Sequence, residues 1–279
     1  MLKDTRIVFI GAGAMGGAMI TGLLSRKLVA PDQIVAADPH EEITVRLHEK
    51  HGIDVTADNV AACEDADIIV LSVKPQVLPQ VFSGLAGHVP SDALVMSIVA
   101  GARIGSIADG LQQGVVVRSM PNTPAQIGVG ITVWTESDSV SASQHQQAET
   151  VLQALGRAIF VDDEDYLDMA TAISGTGPSY VFLFMEALVD AGVHMGLSRK
   201  VAEELVHHTV KGSAEIVLQS PQHLARLRDQ VTSPGGTSAE ALYYLEKAGF
   251  RTAISRAVWA AYQRSIELGS GGKRNPMDR

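Results

Sequence analysis

The chain has 279 residues, a formal charge of -9 from 22 Lys and Arg against 31 Asp and Glu, and 46% hydrophobic against 19% charged residues. This is globular composition, which excludes disorder and fibre, and the length suits two domains. Ten basic and sixteen acidic residues run to position 160 and twelve and fifteen follow, so neither part offers the positive face that sequence-independent nucleic-acid binding needs. The single cysteine, Cys63, excludes an internal disulfide or a cysteine-rich zinc site and suits a reducing compartment.

From Ile7 to Ser25 there is no charge, as in a signal peptide or short membrane span. Five glycines (Gly11, Gly13, Gly16, Gly17, Gly22) interrupt the run, whereas a secretory segment needs a continuous apolar helix. The segment therefore reads as part of the fold of a cytoplasmic protein with no membrane partner. Short apolar runs at 6–10, 33–37, 67–72, 94–98, 115–119, 130–134 and 158–161 read as strands covered on both faces. Helix-like stretches at 15–29, 41–50, 76–85, 104–110 and 141–155 lie between them. This alternation predicts an α/β fold with a Rossmann-type doubly wound parallel sheet over residues 1–163.

Beyond residue 163 the strand signals stop, and residues 164–279 read as an all-α domain. Helices are expected at 178–195, 199–219, 221–230, 238–248 and 250–268, with Pro178 and Pro221 in first turns and Gly196 and Gly249 as stops. The helix at 178–195 is apolar almost all round, so another subunit's helices are expected to cover it. Residues 270–279 read as a frayed tail.

Gly11, Ala12, Gly13, Ala14, Met15 and Gly16 follow the first strand and open the first helix. The first glycine permits the turn, the second lets the backbone approach a pyrophosphate, and the third permits close helix–strand packing. Asp38, before Pro39, lies 22 residues after Gly16, where a carboxylate accepts bonds from an adenosine ribose and repels a 2′-phosphate. Its spacing favours NADH. Ser72, Val73, Lys74 and Pro75 follow the third strand and Ala100 and Gly101 the fourth, where a bound dinucleotide runs. Lys74 reads equally as a surface lysine. Asn122, in a loop stiffened by Pro121 and Pro124, offers a further amide.

Two glycine-rich hydroxyl segments, 174–178 and 233–238, are read as loops that each open a helix, with 237–240 as a capping box. Backbone N–H groups at such a start receive a carboxylate without net positive charge. Together with the first glycine turn, the Val-Lys-Pro of 73–75 and the Met-Pro-Asn-Thr-Pro of 120–124, these motifs resemble pyrroline-5-carboxylate reductase over residues 6 to about 268. The resemblance implies reduction of 1-pyrroline-5-carboxylate to L-proline by NAD(P)H, the last step of proline biosynthesis. It also implies a helical domain that interleaves into dimers, which commonly form decamers.

By the same resemblance the turn at 11–16, Asn59, Ser72–Pro75, Ala100 and Gly101 line the cofactor. Gly236, Thr237 and Ser238 receive the substrate carboxylate, with Glu164 near the substrate. Ser238, beside Thr237, is the candidate catalytic hydroxyl, relaying a proton to the ring nitrogen. Asp38 replaces the serine often found in NADPH-using relatives, so family and spacing pull the cofactor preference in opposite directions. Gln230 likewise departs from the asparagine of some relatives. The alternatives are another Rossmann-plus-helical reductase of the β-hydroxyacid dehydrogenase type, with Lys211 as base, and a non-catalytic nicotinamide sensor. No metal is expected: Glu203/His207 and Glu204/His208 point in different directions, and hydride transfer to an iminium needs no Lewis acid. His48 and His51 read as solvated.

Overall fold

A computed structural model of the chain describes residues 2–269. The expected tail at 270–279 lies outside them. In chain order the elements are β1 (Ile7–Ile10), α1 (Ala14–Ser25), β2 (Ile34–Ala37), α2 (Glu41–His51), β3 (Asp54–Thr56), α3 (Asn59–Cys63), β4 (Ile68–Leu71) and α4 (Leu78–Leu85). Then come β5 (Leu94–Ser97), α5 (Ile104–Leu111), β6 (Val116–Met120), β7 (Gly130–Glu136), α6 (Ala142–Gln153) and β8 (Gly156–Phe160). The remainder is helical: α7 (Asp165–Ala170), α8 (Gly177–His194), α9 (Arg199–Gln219), α10 (Leu224–Gln230), α11 (Thr237–Lys247) and α12 (Phe250–Gly269).

The chain folds as two compact units. One takes residues up to Thr176 and again those from Ala261 onward, and the other is Gly177–Ala260. In the first unit the strands form one sheet in the order β3-β2-β1-β4-β5-β6-β7-β8. Strands β1, β2, β4 and β5 are apolar and wholly buried, as in a sheet covered on both faces. Phe9, Met19, Leu23, Ile34, Trp134 and Leu152 fill one layer, and Ile10, Ile69, Leu71, Leu85, Ile107 and Leu111 the other. Each such side chain contributes about 1.5–3 kcal/mol by leaving water.

The sheet departs from all-parallel at one place. β7 runs antiparallel to β6, because Thr123–Ile127 forms only a 3-10 turn between them. A parallel return needs a crossover of a dozen or more residues. β3 and α3 were not expected: β3 is a three-residue, non-apolar edge strand, and α3 is five residues capped by the Asp58 side chain on the N–H groups of Val60 and Ala61.

The helical part differs from expectation at α7, which was not expected, and in three further places. Residues 174–176 do not form a loop. A π turn at Thr171–Gly175 follows α7, with Thr176 N–H bonded to Thr171 C=O at 2.8 Å. The Thr171, Ser174 and Thr176 hydroxyls each donate to a carbonyl four or five residues back, so the segment spends its hydroxyls on its own helix. Pro221 lies outside α10, whose N-cap is His223. No capping box forms at 237–240, because Gly236 takes the cap position and puts Thr237 inside the first turn.

In the second unit, Val189, Ala202 and Val206 bury where α8 meets α9. Most of α8 faces outward, with Phe182 59% and Leu183 67% exposed. By length and hydropathy alone, the run Asp165–His194 would cross a membrane. His48 is exposed as expected, with its Nδ1 2.9 Å from Ile53 C=O, whereas His51 is half-buried, with its Nε2 3.0 Å from Thr21 Oγ1. Burial pushes the Cys63 thiol up to about 12, so it stays protonated and inert.

Candidate active site

The turn between β1 and α1 is built by its glycines in three different ways. Gly11 has φ +88°, and a Cβ there would lie 2.7 Å from Val73 Cγ1 and 2.9 Å from Ser72 C=O. Gly16 packs equally tightly: its Cβ would meet Gly11 C=O at 2.6 Å and Ser72 Oγ at 2.9 Å. A Cβ on Gly13, by contrast, would meet nothing within 4 Å. Gly13 is the N-cap of α1, and no side chain caps that helix. The first N–H groups of α1 are thus left to an anion, and the residue beside them leaves room for one. Ser72 holds the turn from the β4 end, its hydroxyl donating to Gly11 C=O at 2.5 Å.

Asp38 directly follows β2 and is buried. Its Oδ2 accepts the Ala12 N–H at 2.9 Å, and its Oδ1 the His40 N–H at 3.0 Å, with the His40 ring at 2.8 Å. Burial alone would raise this carboxyl, but the bonds from Ala12 and His40 outweigh it and leave Asp38 below its ordinary value. It is therefore a fixed, full negative charge beside the glycine turn. Pro39 is exposed behind it, and Asn59 is half-buried at the first turn of α3.

The other expected cofactor residues also lie in the first unit. Lys74 is exposed, with Pro75 next to it, in a turn closed by Val77 N–H on Lys74 C=O at 3.0 Å. Ala100 and Gly101 follow β5, Gly101 at φ +76°. Asn122 turns its side-chain oxygen to the Ile131 N–H at 2.9 Å, which bridges the ends of the β6–β7 connection and leaves its amide NH2 as the group to offer. Glu164 accepts the Ile104 N–H at 2.8 Å and Arg118 Nη1 at 2.9 Å on one oxygen and faces Arg103 Nε at 3.4 Å with the other. Arg118 escaped the sequence reading. The signal was there: a charge inside the apolar run 115–119.

The second segment belongs to the second unit. Gly236 N–H donates to Ser233 C=O at 3.0 Å, closing the turn, and α11 starts at Thr237 with no side chain on its first N–H groups. Beside those donors lie the exposed Thr237 and the half-buried Ser238, so the hydrogen-bonding groups at this helix start are all neutral. Nearby, Gln230 Nε2 bonds Gln222 Oε1 at 2.8 Å. Glu204 and His208 pair across one turn of α9 at 3.5 Å on its exposed face.

Residues 164–268 match the family model described as pyrroline-5-carboxylate reductase dimerisation, and residues 6–101 one described as NADP oxidoreductase, coenzyme F420-dependent. The chain is 43% identical over 268 residues to the pyrroline-5-carboxylate reductase of Pseudomonas aeruginosa, covering 96% of this chain and 98% of that one. It is 41% identical over 260 residues to that of Synechocystis, covering 93% and 97%. The chain belongs to the pyrroline-5-carboxylate reductase family. The crystal structure of the Plasmodium falciparum member with NADP bound superposes with a TM-score of 0.87 at 33% identity, covering 95% of this chain and 98% of that one. Membership makes the chain a nicotinamide-dependent oxidoreductase that self-associates through its helical residues, and the open, uncapped glycine turn fits that cofactor.

Proposed function

We propose that this member of the family reduces 1-pyrroline-5-carboxylate to L-proline, with the residues above in the following roles. The observation that supports the reading is two helix starts with glycine at the N-cap, Gly13 of α1 on one unit and Gly236 of α11 on the other, each with no side chain on its first N–H groups and so able to take an anionic group without a cationic side chain. The first suits the pyrophosphate, through the N–H groups at 13–16; Ser72–Pro75, Asn59, Ala100, Gly101 and Asn122 serve the rest of the dinucleotide. When bound, the nicotinamide supplies the hydride that adds to the imine carbon.

Thr237 and Ser238 hold the substrate carboxylate through their N–H groups, which fixes the ring's orientation. The Ser238 hydroxyl bonds the ring nitrogen and relays its proton. Asp38 favours NADH, because its fixed charge accepts the ribose hydroxyls and opposes a 2′-phosphate. The exposed apolar face of α8 is covered by a second subunit rather than by lipid, in a cytoplasmic dimer that assembles into decamers.

The test follows loss of the reduced-nicotinamide absorbance with 1-pyrroline-5-carboxylate and either NADH or NADPH; no oxidation with either overturns the reading. Asp38→Ser is expected to move the kcat/KM ratio toward NADPH by about tenfold, or about 1.4 kcal/mol. Ser238→Ala is expected to lower kcat by about 10²-fold with cofactor binding unchanged. An unaltered kcat would remove Ser238 from the mechanism.

A further inference from the structure

A strand covered on both faces has no natural place for an arginine, yet β6 carries Arg118 at 2% exposure. A buried guanidinium is tolerated only with partners that satisfy it. Two carboxylates do so: Glu164 Oε1 at 2.9 Å and Asp168 Oδ1 at 3.3 Å, the latter also accepting the Ser265 hydroxyl at 2.6 Å. Arg103 adds a second cation on Glu164 and pairs with Asp165.

The cluster has a direct mechanical link to the segment after β5. α5 lacks a side-chain cap of its own, since its N-cap residue is Arg103. Glu164, sixty residues downstream, supplies the missing acceptor by taking the Ile104 N–H, and Arg118 holds Glu164 there. The segment between β5 and α5 is therefore pinned at both ends: Val99 N–H donates to Ser97 Oγ at 3.2 Å, and Ile104 N–H to Glu164. It has no slack in between. Gly101 lies in the left-handed region, and a Cβ there would come within 3.0 Å of Leu268 and Gly269.

We infer that Arg118 and Glu164 are positioning residues for the Ala100–Gly101 cofactor segment, and that Glu164 acts on the start of α5 rather than on the substrate. The inference rests on the proposed role of Ala100 and Gly101 in holding the dinucleotide. Both oxygens of Glu164 are engaged by Ile104, Arg118 and Arg103. Without Arg118, Glu164 and Asp168 become two neighbouring carboxylates with no buried counter-charge. Glu164 then moves away from Ile104, and the segment loosens.

The experiment uses the full chain with Arg118→Met, Arg118→Lys and Glu164→Gln. NADH and NADPH dissociation constants are measured by fluorescence titration without imine, and the KM for 1-pyrroline-5-carboxylate at saturating cofactor. Arg118→Met is expected to weaken cofactor binding about tenfold and Arg118→Lys about threefold, the lysine keeping the charge but losing the two-pronged fork. Glu164→Gln, nearly isosteric and so the variant least exposed to misfolding, is expected to fall between them, with faster hydrogen exchange at Ile104. The imine KM is expected to stay within about twofold in all three. Unchanged cofactor binding in Glu164→Gln, or a raised imine KM with cofactor binding unchanged, overturns the inference. A parent protein that binds neither cofactor overturns the proposed cofactor site instead.

Discussion

Gly13→Val is expected to fold like the parent protein and to lose cofactor affinity by more than about tenfold, because the added methyl groups enter the space a pyrophosphate needs. The backbone at Gly13 has φ -63°, open to any residue, and no protein atom lies within 4 Å of its added Cβ. Gly11→Ala is expected to do something different. There the conformation is left-handed and the Cβ strikes Ser72 and Val73, so strain and overpacking together cost about 2–5 kcal/mol of stability. Thermal melts of the two variants beside cofactor titrations check the contrast. A destabilised Gly13→Val, or one that binds NAD(P)H normally, would contradict the assignment of that space to the cofactor.

The second large effect concerns self-association. Phe182 and Leu183 are exposed on α8 in the single chain, and Ile216, Leu218, Tyr244 and Trp259 add to the apolar surface of the helical residues. A soluble monomer rarely leaves so much uncovered. Phe182→Glu with Leu183→Glu removes two side chains each contributing about 1.5–3 kcal/mol when buried, so the dimer is expected to dissociate more than about a hundredfold more readily. Sedimentation analysis over a dilution series reads this directly. An unchanged oligomer would place the interface on another face.

How much of this was legible in the sequence depended on how local the cause was. Arg199–Gln219 was read to the residue, and in the structure the Ser198 hydroxyl caps its start by accepting the Val201 N–H. The glycine turn was equally plain, since the demand for left-handed backbone at Gly11 is written in one residue. β3 and α7 were missed because each is short and polar, and they are held by neighbours rather than by their own pattern. The capping box at 237–240 and the loop at 174–178 failed for a related reason. A hydroxyl beside glycine fits a cap or a bond back to its own helix, and a shift of one residue at Gly236 decided the matter. Arg118 was passed over because one charge in an apolar strand says that partners exist without saying where. They sit 46 and 50 residues away.

The division of α12 between the units bears on how the chain is made. The Asp168 carboxyl waits for Ser265, 97 residues later, and Leu268 and Gly269 abut Gly101. During synthesis the amino-terminal sheet is out of the ribosome long before these groups exist, so the nucleotide half cannot reach its final form as an early, independent product. Closing so long a loop adds little entropy beyond that of a shorter one. What it imposes is an order of events, in which α12, the last helix among the described residues, completes the first structure begun.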